Sequence, residues 1–208
     1  MFSIICSVSN TETFKKYLEP SIELVKSCYK IDPQVILVEG TESIFKNYNV
    51  GLRQTCHQVN VFIHQDVALE DPIWVFKMLS TFASYPECGL IGMVGTTEMP
   101  GKNQMYWESG RQYIYGQLYS GVERADWKFN EIEESKEVAC IDGFFMATNW
   151  QLKFDEHLNG FHLYDMAYSR QVKELNQTIR VIDYKAHHIG AIRNDKPDFE
   201  TYNKIWGL

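Results

Sequence analysis

Residues 60–67 read NVFIHQDV, and the rest of the chain is organised around them. A short apolar run ends in a histidine and an aspartate two positions apart. The run reads as a buried strand over 60–65. Side chains alternate along a strand, so His64 and Asp66 project one way and Gln65 the other. Two side chains of metal-ligating type then stand at the carboxyl end of a strand, the edge where open α/β sheets bind ligands. The competing reading is local: the strand ends in a turn, and Asp66 caps a helix that begins near Pro72.

Outward from this stretch the pattern alternates. Upstream, residues 2–8 (FSIICSV) and 35–39 (VILVE) read as buried strands. Between them, residues 11–28 carry Phe14, Leu18, Ile22 and Val25 on one helical stripe, with Pro20 expected to break or kink it. A helix is expected over 43–57, starting as late as Asn49. Downstream, 72–84 reads as a helix with Pro72 in its first turn, and 89–95 (GLIGMVG) as a fourth strand. The order β-α-β-α-β-α-β predicts an α/β fold with a mostly parallel central sheet flanked by helices. Residues 96–136 lose the alternation and are expected to form loops with a hairpin near 112–120. Strand character returns over 137–149, interrupted at Asp142-Gly143. Residues 162–176 fit a helix with Leu163, Met166 and Leu175 inward, and 179–184 a last strand that runs into AHHIG. From Asp198 a short helix is expected to close at Gly207.

Composition limits the class. The 208 residues suit one domain over 1–208, with 1–95 as a nucleotide-binding half and 96–208 as an acceptor-side half. A net charge of -7 argues against a nucleic-acid partner, which would normally need a basic face, but leaves room for a nucleotide whose charge a cation offsets. Five dispersed cysteines without a CxxC pair fit free thiols in a reducing compartment. The N-terminus has no basic region before its short apolar run, and no stretch reaches the roughly 20 apolar residues of a membrane span. A cytoplasmic protein without a transmembrane segment is expected.

Several pieces together carry a resemblance: FSIICSV, NVGLRQ ahead of NVFIHQDV, ACIDGFFMATNW, FDEHLNGFHLYDMAYSRQV and AHHIG. In order and spacing they resemble the GT-A fold glycosyltransferases, specifically the family 2-like group related to streptomycin-biosynthesis proteins. The resemblance covers most of the chain. It implies a metal-dependent, inverting transfer of a sugar from a nucleotide-diphospho sugar to a saccharide or other hydroxyl acceptor, in polysaccharide biosynthesis or similar work. Asp66 resembles the last acid of that family's DxD signature, whose carboxylate holds Mn²⁺ or Mg²⁺ against the donor diphosphate. A cation there stabilises the charge that the leaving nucleotide gains. His64 stands where an acid is usual. Imidazole ligates Mn²⁺ but suits Mg²⁺ poorly, so either the ion is Mn²⁺-like, or His64 lies behind the ligands or contacts the donor.

Of the pair His187 and His188, alternation sends only one to the site, and the resemblance favours His188 as a further metal or phosphate ligand. Asp165, in the first turn of the 162–176 helix, resembles the family's catalytic aspartate, a base on the acceptor hydroxyl. Its local alternative is an acid that favours a helix N-terminus. Tyr164 occupies a place usually held by Glu, and Ala167 one that is often acidic. Asp142 is a second catalytic candidate, with Gly143 leaving room for a sugar, or else the two form a plain turn. Ser7, Ser9 and Glu39 are donor-binding candidates by position at strand ends. Trp107 and Trp150 are candidate sugar platforms, with core packing favoured for Trp150. Asp155 and Glu156 are expected to be solvated.

Three rival readings remain. A nucleotidyltransferase would need a Gly-rich basic loop after the first strand, which VSNTETFKKY lacks. A metallohydrolase would use His64, Asp66 and His187 or His188 around two metals. A non-catalytic nucleotide-sugar or carbohydrate-binding module on the same fold fits the altered HxD and the missing acid at 167.

Overall fold

The computed structural model describes residues 1–40, 43–190 and 196–208. The chain opens with β1 (Phe2–Val8), α1 (Thr11–Tyr29), β2 (Gln34–Glu39), α2 (Ile44–Leu52) and β3 (Val59–His64). β1 pairs in parallel with β2 on one side and β3 on the other. The break expected at Pro20 does not occur, and α1 is one helix. Pro20 and Lys16, whose carbonyl loses its helical donor, both lie on the exposed face, where solvent can satisfy the orphan acceptor.

α2 is shorter than the expected 43–57. It presses onto β1 at Gly51, where a Cβ would come within 2.3 Å of Ile5 Cγ2. Asn49, buried in the same helix, clamps a distant loop. Its amide donates to Phe154 O at 2.8 Å and its carbonyl accepts from Phe154 N at 2.9 Å. Two residues of NVGLRQ thus serve packing.

After β3 come β4 (Val67–Ala68), α3 (Trp74–Ser84), β5 (Cys88–Gly92) and β6 (Val94–Thr96). The single strand expected over 89–95 bends at Met93, and its halves enter different sheets. Two 3-10 turns, Tyr106–Ser109 and Arg111–Tyr113, lead into a hairpin of β7 (Ile114–Ser120) and β8 (Ala125–Lys128) that is longer than expected. The strand expected over 137–149 is three pieces, β9 (Ser135–Val138), β10 (Cys140–Ile141) and β11 (Phe145–Thr148). The chain ends with α4 (Tyr164–Glu174), β12 (Thr178–Ile182), β13 (Lys185–His188) and α5 (Phe199–Trp206). Leu175 follows α4 as its C-cap and is 45% exposed rather than inward.

The main sheet has the order β2-β1-β3-β11-β5-β12-β9. β2, β1, β3, β5 and β12 run one way, and β11 and β9 run against them. A second sheet has the order β10-β6-β7-β13-β4, with β8 beyond β7. α2 packs on β1 and β2, α3 on β5 and β12, and α4 on β10 and β12. A continuous apolar core runs through these layers, with Trp74 and Tyr48 among its largest fully buried side chains. The site lies where the carboxyl ends of β1 and β3 meet the second sheet.

Candidate active site

Strand register builds the first corner of the site. Ser7 lies opposite His64 across the β1–β3 ladder. The chain then turns through Gln65 and Asp66 into β4. β13 runs antiparallel to β4 with His188 opposite Val67, and Ile189 N donates to Asp66 O at 3.0 Å. The two ladders therefore bring residues 64, 66 and 188 together. Gln65 pins the turn. Its side-chain oxygen accepts from Ser9 N at 3.0 Å and Asn10 N at 2.9 Å, and its amide donates to Ser9 Oγ at 2.8 Å. Asp66 does not cap α3, which begins at the N-cap Ile73 without a side-chain cap; Ile73 N donates to Asp71 Oδ1 at 2.9 Å just before it.

His64 Nδ1 stands 3.3 Å from His188 Nε2, which stands 3.7 Å from Asp66 Oδ1. Ligand atoms of all three residues lie within 4.8 Å of one another, the one such group among the described residues. Bonds of about 2.1 Å at right angles set neighbouring donors about 3 Å apart, so the spacing suits a cation. Two imidazoles and a carboxylate fit Mn²⁺ and other borderline ions better than Mg²⁺. The His188 ring is stacked on Phe144, with ring centroids 5.2 Å apart. His187 faces away. It accepts from Arg124 at 3.2 Å through Nδ1 and donates to Gly121 O at 2.9 Å through Nε2. The two-metal hydrolase reading thus finds no second set of donors among the described residues.

Tertiary packing builds the second corner. Leu163 takes a left-handed conformation (φ 65), which costs a side-chain-bearing residue about 1–2 kcal/mol, and leads into α4 with Tyr164 and Asp165 in its first turn. Asp165 is 6% exposed. Its Oδ2 accepts from Gly143 N at 3.0 Å and its Oδ1 from Met166 N at 2.8 Å. Burial, and then the charge of Asp142, push its carboxyl up to about 7, against the pull of those backbone donors. Asp142 accepts from Phe144 N at 3.2 Å and takes a short hydrogen bond from the Tyr106 hydroxyl.

The space beside Gly143, expected to admit a sugar, is filled by Tyr164: a Cβ at 143 would sit 2.1 Å from the phenol oxygen. That oxygen meets His64 Nε2 at 2.5 Å. Sequence reasoning missed Tyr164 and Tyr106 as site residues. The first stands out in the sequence only as a departure from the family pattern. The second lies 36 positions from Asp142 and carries no local signal.

Both corners open into one cleft of about 330 Å³. Ser7, Ser9, His64, Asp66, Asp142, Asp165 and His188 line it, together with Trp107, Phe161 and His162. Glu39 does not line it. That side chain is exposed and accepts from Thr11 Oγ1 at 3.4 Å, at the start of α1. Trp107 is 53% exposed at the cleft, whereas Trp150, also part-exposed, lies elsewhere. Asp155 and Glu156 are not simply solvated. Asp155 accepts from His157 N at 2.9 Å, and Glu156 from the Asn49 amide at 2.8 Å.

A sequence profile described as a glycosyltransferase-like family matches residues 3–205. No curated protein matches the chain. Among solved structures, Staphylococcus aureus TarS 1–349 in complex with UDP superposes with TM-score 0.59 and 11% identity, over 98% of this chain and 62% of that one. The mannosyltransferase PcManGT from Pyrobaculum calidifontis, in complex with GDP-Man and Mn²⁺, gives 0.53 and 11%, over 93% and 58%. A197 from STIV gives 0.52 and 12%, over 91% and 86%. The chain therefore spans about six-tenths of the first two. At such identities the likeness speaks for the fold, which is the GT-A arrangement of an α/β chain.

Proposed function

The chain belongs to the glycosyltransferase-like family, and from that premise we propose that it moves a sugar from a nucleotide-diphospho sugar to an acceptor hydroxyl, with a divalent cation and with inversion. The observation that carries this reading is the meeting, in one cleft, of a cation-binding trio and a buried carboxyl poised near neutrality. Asp66 and His188 hold the cation. When bound, that ion supplies positive charge to the diphosphate that leaves. The UDP bound to TarS and the GDP-Man and Mn²⁺ bound to PcManGT support the same ligand class here. Ser7 and Ser9 flank the donor, with Glu39 further out along the same edge.

Asp165 accepts the proton of the acceptor hydroxyl. The acceptor oxygen bonds to the anomeric carbon from the face opposite the diphosphate, and the carbon–oxygen bond to the diphosphate breaks with its electron pair. A carboxyl near neutrality is matched to that task. Asp142 orients the acceptor. Trp107, exposed beside the cleft, offers a flat apolar face to a sugar ring. Residues 1–95 supply most of the donor side of a single domain over 1–208. Acceptor choice lies in 96–136, the region with least likeness to a regular α/β repeat. No described helix is long and apolar enough to cross a membrane, and a cytoplasmic place in polysaccharide assembly fits the free thiols.

A thermal-shift screen of nucleotide sugars, with and without Mn²⁺, tests the reading, because a ligand of the folded state stabilises it in proportion to its affinity. One donor is expected to stand out, and only with the ion. No metal-dependent shift with any donor would remove the reading. A donor that binds without transfer to any acceptor would reduce the chain to a binding module.

A further inference from the structure

We propose that Tyr164 is a positioning residue that holds His64 as a third metal ligand through Nδ1, so that the site prefers a borderline transition ion such as Mn²⁺ to Mg²⁺. The inference rests on the reading of Asp66 and His188 as cation ligands and deepens it.

An imidazole ligates only through the nitrogen that carries no proton, and the partner of its other nitrogen decides which one that is. His64 Nε2 meets the Tyr164 hydroxyl at 2.5 Å, while Nδ1 faces His188 Nε2 at 3.3 Å. Tyr164 is fixed from below. Its ring packs edge-on against Phe45 and Tyr48, with centroids 6.3 and 5.8 Å away. Its oxygen occupies the space that a Cβ at Gly143 would fill.

In the ligating tautomer, Nε2–H donates to this hydroxyl. Nδ1 is then left as a lone pair beside His188 Nε2 and the Asp66 carboxylate, and three donors converge. The opposite tautomer would put a proton on Nδ1, pointing into the cation site. Outer partners of this kind orient a ligating histidine and raise its basicity. A second imidazole shifts the donor set away from the all-oxygen shell that Mg²⁺ demands.

The test uses the metal alone. Mn²⁺ is titrated into the full chain and into Tyr164→Phe and His64→Ala, and binding is read from loss of the free-ion electron paramagnetic resonance signal. Mg²⁺ competition is measured on the same samples, and pulsed spectra count ¹⁴N couplings on the bound ion. The wild type is expected to show two imidazole couplings and His64→Ala one. Tyr164→Phe is expected to lose about tenfold or more in Mn²⁺ affinity while Mg²⁺ competition changes by less than about threefold.

A single coupling in the wild type, or no Mn²⁺ binding by it, would overturn the inference without need of a variant. So would Tyr164→Phe with unchanged affinity and both couplings, or with an equal loss for both ions. Failure of the transferase reading is separable. It would leave two couplings in place and appear as absent donor binding. A chain that transfers sugar with one coupling would retain the function and lose this inference.

Discussion

The two corners of the cleft hold aspartates in different surroundings. Asp66 stands in a partly open corner, its side chain 16% exposed and the His188 imidazole 3.7 Å away. Asp165 is buried, receives two backbone N–H donors, and sits close enough to Asp142 for that charge to raise its carboxyl. In the proposed reaction the same side chain would hold a cation in one corner and take a proton in the other. Environment rather than residue type separates the tasks, as it does wherever neighbouring carboxyls divide acid and base work. The corners also differ in construction. β-ladders fix the first, whereas a left-handed residue, a glycine and a tyrosine fix the second.

The largest effect expected from breaking this contrast is on catalysis. Asp165→Asn keeps the shape but cannot take a proton, so kcat should fall about 10²- to 10⁴-fold, with donor affinity little changed in calorimetry. A variant that transferred at the wild-type rate would place the base elsewhere. In the wild type the rate should rise with pH up to about 7, as Asp165 ionises, and then level off.

Stability should move the other way. The carboxyl ionises near 4 in the unfolded chain and near 7 when folded. Its contribution is complete below pH 4 and is lost as pH rises through 7, because in that window the folded state holds the extra proton. Thermal melts at pH 5 and pH 8 should show that loss in the wild type and a smaller one in Asp165→Asn. An equal pH dependence in both would show that Asp165 does not titrate as described.

Gly143→Ala attacks the seam between the corners. Its methyl group would collide with the Tyr164 oxygen, costing about 1–3 kcal/mol as overpacking does. Denaturant melts should show the loss, and Mn²⁺ affinity should weaken in the same protein. If stability fell and the metal site were unmoved, the seam would be mechanical only. The smallest effect is expected from Tyr106→Phe, which removes one hydrogen bond to a part-exposed carboxylate, worth about 1 kcal/mol. Acceptor KM should rise a few-fold with donor affinity unchanged.

The contrast also explains what the sequence disclosed. The apolar run that ends at His64 and the paired histidines at 187–188 are local signals that the ladders of β3, β4 and β13 carry into place, whereas Asp66 reaches the site from the turn after β3 and not by strand alternation. The parallel order of the first strands was legible for the same reason. The second corner depends on contacts between distant positions. Nothing local to Tyr106 points to Asp142, and the clash that makes Gly143 necessary exists only once Tyr164 is placed. Single apolar runs hid the bend at Met93, because both halves are buried and neither sheet leaves a mark on composition. The strand-end position of Glu39 points to the donor, yet its exposed side chain runs to Thr11 rather than into the cleft. The solvent-facing side of α1 absorbed Pro20, which propensity alone reads as a break.

The account stands most directly on calorimetry of UDP and of GDP titrated into the wild type and Asp66→Ala, each with and without Mn²⁺. It predicts that the ion raises the affinity of the wild type for one nucleotide about tenfold or more, as loss of a charge-bridging ligand implies, and changes nothing in Asp66→Ala. An aspartate variant that kept the full metal-dependent affinity would contradict it.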